Sequence, residues 1–196
     1  MSGARGLVYG DVGATWTQRG DIGTRTELLS AVFVAGRTAG HAFQRGLGSV
    51  GLSGIAPAGI PLGLSAVFGR TNATAPQVER FALGGGPSPL VDHDLITQRI
   101  AMPALPAGVS IGSSVLAYRA SLNTQPVALY WWAGRTAQGS AFASWNRVIG
   151  LEWNQSVPAI AAAGTPAARA QLGVGESLDA PFRRHIRAYM SVILNP

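Results

Sequence analysis

A serine framed by two glycines is the clearest hint of covalent chemistry in this sequence. Gly108-Val-Ser110-Ile-Gly112 matches the G-x-S-x-G pattern of a hydrolase nucleophile elbow, and Asp179 and His185 follow in the order that such hydrolases use. An elbow needs a strand before the serine and a helix after it, whereas here an alternating, strand-like stretch follows. The context favours a glycine turn that opens a strand. We therefore predict no catalytic residue. A serine hydrolase that uses Ser110 is kept as the second of two alternative functions, the first of which is given below.

Two further patterns suggest a bound ligand. Gly46-Leu-Gly48-Ser-Val-Gly51 matches the dinucleotide fingerprint G-x-G-x-x-G, but that motif needs a helix N-terminus, and a strand pattern continues here to Ile55. Asp92-His93-Asp94 offers metal-ligand types, yet neighbouring residues of a strand point to opposite faces and do not converge on one ion. The chain has no Cys, which excludes thiolate metal sites and thiol nucleophiles. No cofactor and no metal are predicted.

Charged residues recur along the polar faces of the alternating segments. Six are predicted to face the lumen of a barrel: Arg119, Arg147, Glu152, Arg169, Glu176 and Arg187. Inward-facing Arg and Glu side chains pair to stiffen a barrel or set the charge preference of a pore. The basic residues are scattered along the chain and form no stripe, so the formal charge of +6 does not predict nucleic-acid binding.

Composition limits the elements that can position these residues. Of 196 residues, 47% are hydrophobic and only 12% are charged, about half of the roughly 25% charge of an ordinary soluble domain. No apolar run reaches the ~18 residues that a membrane-spanning helix needs. No secretory signal is visible at the N-terminus. The surface has too few charges for an ordinary soluble protein, and spanning helices are not predicted.

Strict alternation of apolar and polar residues is the main structural signal, because a strand sends every second side chain to the same face. It is clearest in three consecutive segments, 145–154, 168–177 and 185–194. Other candidate strands include Phe43 to Ile55 and Val109 to Leu122. The last strand carries one apolar face, predicted to act as a terminal assembly strand: Ile186, Ala188, Met190, Val192 and Leu194.

Short connections between these segments predict one domain, residues 1–196, built as an antiparallel meander. The predicted fold is all-β: an up-and-down meander of about ten strands, forming a closed or partial transmembrane β-barrel. The polar faces hold mainly Gly, Ser, Thr, Asn and Gln, which suits a lumen, and leave the apolar faces for lipid. Trp131, Trp132, Trp145 and Trp153 are predicted near strand ends, where an interfacial girdle would lie. The alternative is a soluble all-β structural protein that buries an uncharged surface in an assembly.

Residues 78–196 resemble the C-terminal barrel of the bacterial surface antigen superfamily, the BamA-like outer-membrane proteins. The resemblance rests on Glu79-Arg80-Phe81-Ala-Leu83-Gly84-Gly85-Gly86, on Tyr118-Arg119-Ala-Ser-Leu122, and on the ending from Gln171 to Pro196. It implies a bacterial outer-membrane location and a non-enzymatic role as membrane anchor, pore or protein insertion or transport element. The implied partners are the lipid bilayer of the outer membrane and the barrel-assembly machinery, with self-association left open.

Overall fold

The computed structural model describes residues 6–20, 23–38, 40–55, 59–72, 74–86, 99–124, 126–139, 141–157 and 168–194. These residues form β-strands and one short 3-10 helix, Gln77–Glu79. The strands are β1 (Gly6–Gly20), β2 (Gly23–Thr38), β3 (His41–Ile55), β4 (Pro61–Thr71), β5 (Phe81–Leu83), β6 (Arg99–Ile100), β7 (Ser110–Gly112), β8 (Ser114–Thr124), β9 (Val127–Gln138), β10 (Ala141–Phe142), β11 (Asn146–Val157), β12 (Ala168–Ser177) and β13 (Ile186–Leu194).

Ten of these strands form one large antiparallel sheet. Its path runs β1-β2-β3-β4-β8-β9-β11-β12-β13, and the short β10 pairs with β9 beside that path. The prediction of an all-β antiparallel meander of about ten strands is confirmed. The sheet is not closed into a barrel: within the described residues, β1 and β13 are its two edges and do not pair with each other.

The chain between β4 and β8 leaves the meander and covers one face of the large sheet. There β5 pairs in parallel with β6 and antiparallel with β7, giving a second, three-stranded sheet. We call residues 77–86 and 99–112 the inner segment. The face of the large sheet that it covers is the inner face, and the opposite one is the outer face.

The prediction of one strand from Val109 to Leu122 is wrong. The chain changes sheets at Ser113, because β7 pairs with β5 while β8 lies between β4 and β9 in the large sheet. Gly112 permits the close approach, since a Cβ there would collide with the backbone carbonyl of Ala137. Alternation alone does not reveal such a change, because both pieces keep a period of two.

The main apolar core lies between the two sheets. The inner segment contributes Phe81, Leu83, Ile100, Met102, Ala104 and Leu105, and the large sheet contributes Leu47, Val115, Ala117, Tyr130 and Val148. Full burial of one large apolar side chain stabilises the fold by about 1.5–3 kcal/mol. A smaller cluster of Val32, Val34, Phe43 and Ala75 packs near β2 and β3. The core therefore fastens the inner segment to the inner face. The predicted Asp92-His93-Asp94 segment lies outside the described residues.

Candidate functional site

Exposed large apolar side chains cover the outer face. Every strand of the nine-strand path contributes at least one side chain that is 37–75% exposed, among them Val12, Phe33, Val50, Phe68, Leu122, Trp131, Leu151, Leu172 and Met190. We call this set the apolar belt. Soluble monomers rarely expose a contiguous apolar patch larger than a few hundred Å². The outer face is therefore suited to contact with something other than water.

The strand register makes the belt continuous. Leu122 lies opposite Leu129, Leu129 opposite Leu151, and Leu151 opposite Val174, which joins four neighbouring strands in one row. A second row crosses the other half of the sheet through Ala14, Leu29, Val50, Ala66 and Tyr118. Directly opposite residues in antiparallel strands have Cβ atoms about 5 Å apart. The belt is thus one surface that spans the large sheet from edge to edge.

The segment that carried part of the family resemblance, residues 79–86, lies within the inner segment. Gly84 and Gly85 have φ angles of 106° and 84°, a left-handed region in which other residues are strained. A Cβ on Gly84 would collide with the carbonyl oxygen of Pro106. The Gly84 N–H donates to Ile100 O at 3.1 Å, and the Gly85 N–H donates to Leu105 O at 3.0 Å. These glycines let the segment turn beneath the large sheet.

A buried ion pair joins the inner segment to β3. The Arg45 Nη1 atom lies 3.4 Å from Glu79 Oε2, and the two side chains are only 3% and 1% exposed. The Thr38 hydroxyl donates to Glu79 Oε1 at 2.7 Å. Removing one member of a buried pair leaves the other charge desolvated and poorly compensated. The pair therefore fixes the position of the 3-10 helix against β2 and β3.

A second buried polar cluster lies on the inner face nearer the β13 edge. The Tyr189 hydroxyl donates to Glu152 Oε2 at 2.6 Å, and Tyr130 is almost completely buried beside them. Gly173 leaves room for the Tyr189 ring and Gly150 leaves room for the Tyr130 hydroxyl, because a Cβ at either glycine would collide with that tyrosine. Aromatic rings thus cover the glycine-rich strands from the inner side.

Two arginines of the large sheet have their guanidinium groups over aromatic rings. The Arg119 guanidinium lies 5.1 Å from the Trp132 ring, and that of Arg135 lies 4.2 Å from Phe142 and 4.5 Å from Trp145. The Nε atoms of both arginines are buried and have no hydrogen-bond partner within the described part of the chain. Cation–π contact offsets part of that cost. Arg119 belongs to the inner face, whereas Arg135 belongs to the outer face at the end of β9.

The six residues predicted to face the lumen divide into three groups. Arg119 and Glu152 lie on the inner face, and Arg187 shares that face with Tyr189 but is exposed. The side chain of Arg169 is outside the described part of the structure. The placements of Arg147 and Glu176 are wrong.

Register explains why Arg147 and Glu176 belong to the outer face. Arg147 shares its face with the exposed residues Ile149 and Leu151, and Glu176 lies opposite Ile149 and Ile186. A period of two sends residues an even number apart to the same side. Both charges sit close to strand ends, at the margin of the apolar belt, where polar surroundings can reach them.

A surface ion pair ties the start of β11 to the turn before β13. Arg147 Nη2 lies 2.7 Å from Asp179 Oδ1, and the Arg147 backbone N–H donates to Asp179 Oδ2 at 2.6 Å. Hydrogen bonds from the Arg147 side chain lower the pKa of the Asp179 carboxyl below its ordinary value. Asp179 therefore stabilises the turn between β12 and β13.

Ser110 does not have the surroundings of a nucleophile elbow. Its hydroxyl lies 2.6 Å from that of Thr136, and it sits within β7, after which the chain continues directly into β8. The ring of His185 packs edge-on against Phe182, at 5.9 Å between centroids. The structure thus gives Ser110, Asp179 and His185 separate partners.

The tryptophans form a girdle only in part. Trp145 directly precedes β11 and packs against Tyr118, with ring centroids 5.9 Å apart. Trp131 and Trp132 lie in the middle of β9, and Trp153 lies well inside β11. The expected placement at strand ends is therefore confirmed for Trp145 and wrong for the other three.

The predicted terminal strand forms as expected. It is β13, Ile186–Leu194, an edge of the large sheet that pairs with β12 on one side. Ile186 and Met190 are 69% and 75% exposed on the outer face. The side chains of Val192 and Leu194 are outside the described set. An assembly role for this strand stays a prediction.

The described residues contain no group of three His, Asp or Glu side chains that could hold a metal ion. Among them, no helix is long and apolar enough to cross a membrane. Comparison with known proteins found no matching family model, no matching curated protein and no matching solved structure. The resemblance to the surface antigen superfamily stays a prediction from the sequence.

Proposed function

We propose that this chain forms part of the wall of a bacterial outer-membrane β-barrel, with the inner segment lying in the barrel interior. It acts without catalysis, as a membrane anchor, a pore or an element of protein insertion or transport. The observation that carries the proposal is the continuous apolar belt on the outer face of all nine strands in the path.

Strand length supports the same proposal. A strand that crosses a bilayer needs about 9–11 residues. In the path of the large sheet the shortest strand, β13, has 9 residues and the longest, β2, has 16. Each strand is long enough to carry the belt across the hydrocarbon layer.

The two faces differ in the way that a membrane wall requires. The inner face holds the Arg45–Glu79 pair and the Tyr189–Glu152 hydrogen bond, whereas charged residues of the outer face, such as Arg147, sit near strand ends. Charge at the lipid-facing midplane is costly, while charge at the margin or in the interior is tolerated. The inner segment packs on this interior face, which favours an anchor or a gated element over a wide open pore.

A charge scan of the outer face tests the proposal. Leu151 lies near the middle of β11 and is 50% exposed, so Leu151→Arg places a charge at the centre of the belt. In a lipid-facing wall this substitution costs about 2–4 kcal/mol of folding free energy in the membrane. Ile186→Arg is the matched control, because Ile186 is 69% exposed on the same face but lies at the start of β13; this substitution costs about 0–1 kcal/mol.

The measurement is flotation of the protein with phospholipid vesicles, together with heat-modifiable migration on gels. We expect the parent chain and Ile186→Arg to float and Leu151→Arg to float poorly. A parent chain that stays soluble without detergent, as a discrete or polymeric particle, would overturn the membrane proposal. That result would favour a structural protein whose belt is covered by other protein.

A further inference from the structure

The two edges of the large sheet run in the same direction. Every neighbouring pair along the path is antiparallel, and the path contains nine strands. An odd number of alternating strands gives the first and the last strand the same direction. β1 and β13 are therefore parallel to each other, although each is antiparallel to its single neighbour.

Direct closure of this sheet on itself would need one parallel ladder between β1 and β13. The two edges are also unequal, with 15 residues in β1 and 9 in β13, so such a ladder would leave part of β1 unpaired. In each edge strand, about half of the N–H and C=O groups point away from the one neighbour. A bilayer does not tolerate unpaired groups of this kind.

The inner segment is too wide for the interior of a barrel made by direct closure of this sheet. A barrel of about eight strands has an interior just wide enough for its own side chains. Here the inner face also carries a three-stranded sheet, with Leu83 and Met102 fully buried against it. Nine strands do not enclose such a sheet, so the complete wall has more strands than this path supplies.

We infer that the wall is completed by a separate β-element with an odd number of strands, paired antiparallel with β1 on one side and with β13 on the other. Its strands alternate apolar residues toward lipid with small polar residues toward the interior, which continues the belt from Val12 and Met190. This inference rests on the proposed membrane function. Copies of this chain related by rotation about the barrel axis do not meet the requirement, since β1 of one copy would again lie parallel to β13 of the next.

Engineered cysteines test the inference, because the natural chain contains none. Two double-cysteine variants probe direct pairing of the edges, at points that are spaced alike on both strands: Val8→Cys with Ile186→Cys, and Val12→Cys with Met190→Cys. The positive control is Leu172→Cys with Met190→Cys, whose residues lie directly opposite on β12 and β13. A short bismaleimide is applied in maltoside micelles, and backbone amide exchange is followed in the parent chain.

We expect the edge pairs to cross-link within one chain at less than about a tenth of the control yield, since only residues opposite each other on paired strands, with Cβ atoms about 5 Å apart, are held within the reach of a short bismaleimide. About every second amide of β1 and β13 should exchange at least tenfold faster than the amides of β3 and β4. Intrachain linkage at the control yield, or edge amides as protected as those of β3, would overturn the inference.

A second copy of the chain gives a different result. Dimers cross-linked through single Val12→Cys and single Met190→Cys would show that an inverted copy pairs β1 with β1 and β13 with β13, which also overturns the inference. The proposed function is measured separately, by vesicle flotation of the parent chain, which requires only that the apolar belt binds lipid and not that the wall is closed. A chain that floats yet links β1 to β13 disproves this inference alone, whereas a chain that fails to float disproves the membrane proposal.

Discussion

Replacement of Arg45 by Ala should detach the inner segment from β3 and strongly destabilise the fold. The substitution removes the guanidinium that lies 3.4 Å from the Glu79 carboxylate and leaves that carboxylate buried beside the Thr38 hydroxyl. Glu79 is 1% exposed, so water does not replace the lost partner. The perturbation therefore tests whether a charge pair holds the inner segment in place.

The expected magnitude follows from the geometry. Two unit charges 3.4 Å apart attract by about 5 kcal/mol at an effective dielectric constant of about 20. Desolvation of both ions offsets most of that attraction, but loss of one partner typically costs about 3–5 kcal/mol, since the other stays buried. Double replacement by apolar residues of similar volume, Arg45→Met with Glu79→Leu, should be about neutral.

The assay is guanidinium unfolding in detergent micelles, followed by tryptophan fluorescence, for Arg45→Ala, for the single variants Arg45→Met and Glu79→Leu, and for the double variant that combines these two. Arg37→Ala is the matched control, because Arg37 is exposed and directly precedes Thr38 at the end of β2. This variant should change stability by less than about 0.5 kcal/mol. Trypsin cleavage after Arg80 gives an independent readout of the inner segment. Arg80 is half-buried and its Nε donates to Ala75 O at 3.2 Å, so cleavage should rise in the single variants alone.

The reasoning would be refuted by small, additive effects. If Arg45→Ala costs less than about 1 kcal/mol and the double variant equals the sum of the singles, the two charges are not coupled. Unchanged trypsin cleavage after Arg80 would further show that the ion pair is not needed to hold the inner segment in place.

Three other substitutions have defined outcomes. Gly173→Val forces the half-buried Tyr189 ring out of place and should lower stability by about 1–3 kcal/mol, which thermal unfolding would measure; no loss would contradict the close packing. Phe81→Ala, at 1% exposure, should cost about 3–5 kcal/mol in the same assay, and a cost below about 1 kcal/mol would contradict burial in the core. Asp179→Asn should remove the stabilisation from the bond to Arg147, which is present above the ordinary carboxyl pKa and is lost as pH falls through the lowered pKa. The free energy of unfolding is measured against pH for parent and variant, and curves that coincide would show that this bond contributes nothing.

Local alternation was sufficient to predict the strands of the C-terminal half. β12 begins and ends at the predicted residues 168 and 177, and β13 begins at Ile186, one residue inside the predicted segment. These strands expose one apolar face, so their pattern is visible in a short window. The same rule, applied residue by residue, assigns Arg147 and Glu176 to the outer face.

Contacts between distant residues were not predictable in this way. Arg45 and Glu79 are 34 residues apart, and the Tyr189–Glu152 bond joins residues 37 apart, so no local spacing signals either contact. The inner segment was missed because β5, β6 and β7 have only two or three residues each. Its most informative signal was the run Gly84-Gly85-Gly86, which indicates a tight backbone approach without indicating the partner.

The contacts of the inner segment also bear on the curvature that we expect for the large sheet. It is tied to β3 through Arg45 and packs at Gly134 of β9 through Leu83 and Met102, within a core that extends to Val148 of β11. From β3 to β11 a flat sheet would measure about 19 Å across, at about 4.8 Å per strand. The inner segment, whose own sheet is only three strands wide, makes contacts within this span, so we expect the large sheet to curve around it. The inner segment would then hold the large sheet in a curved shape, and a sheet without this segment should be flatter.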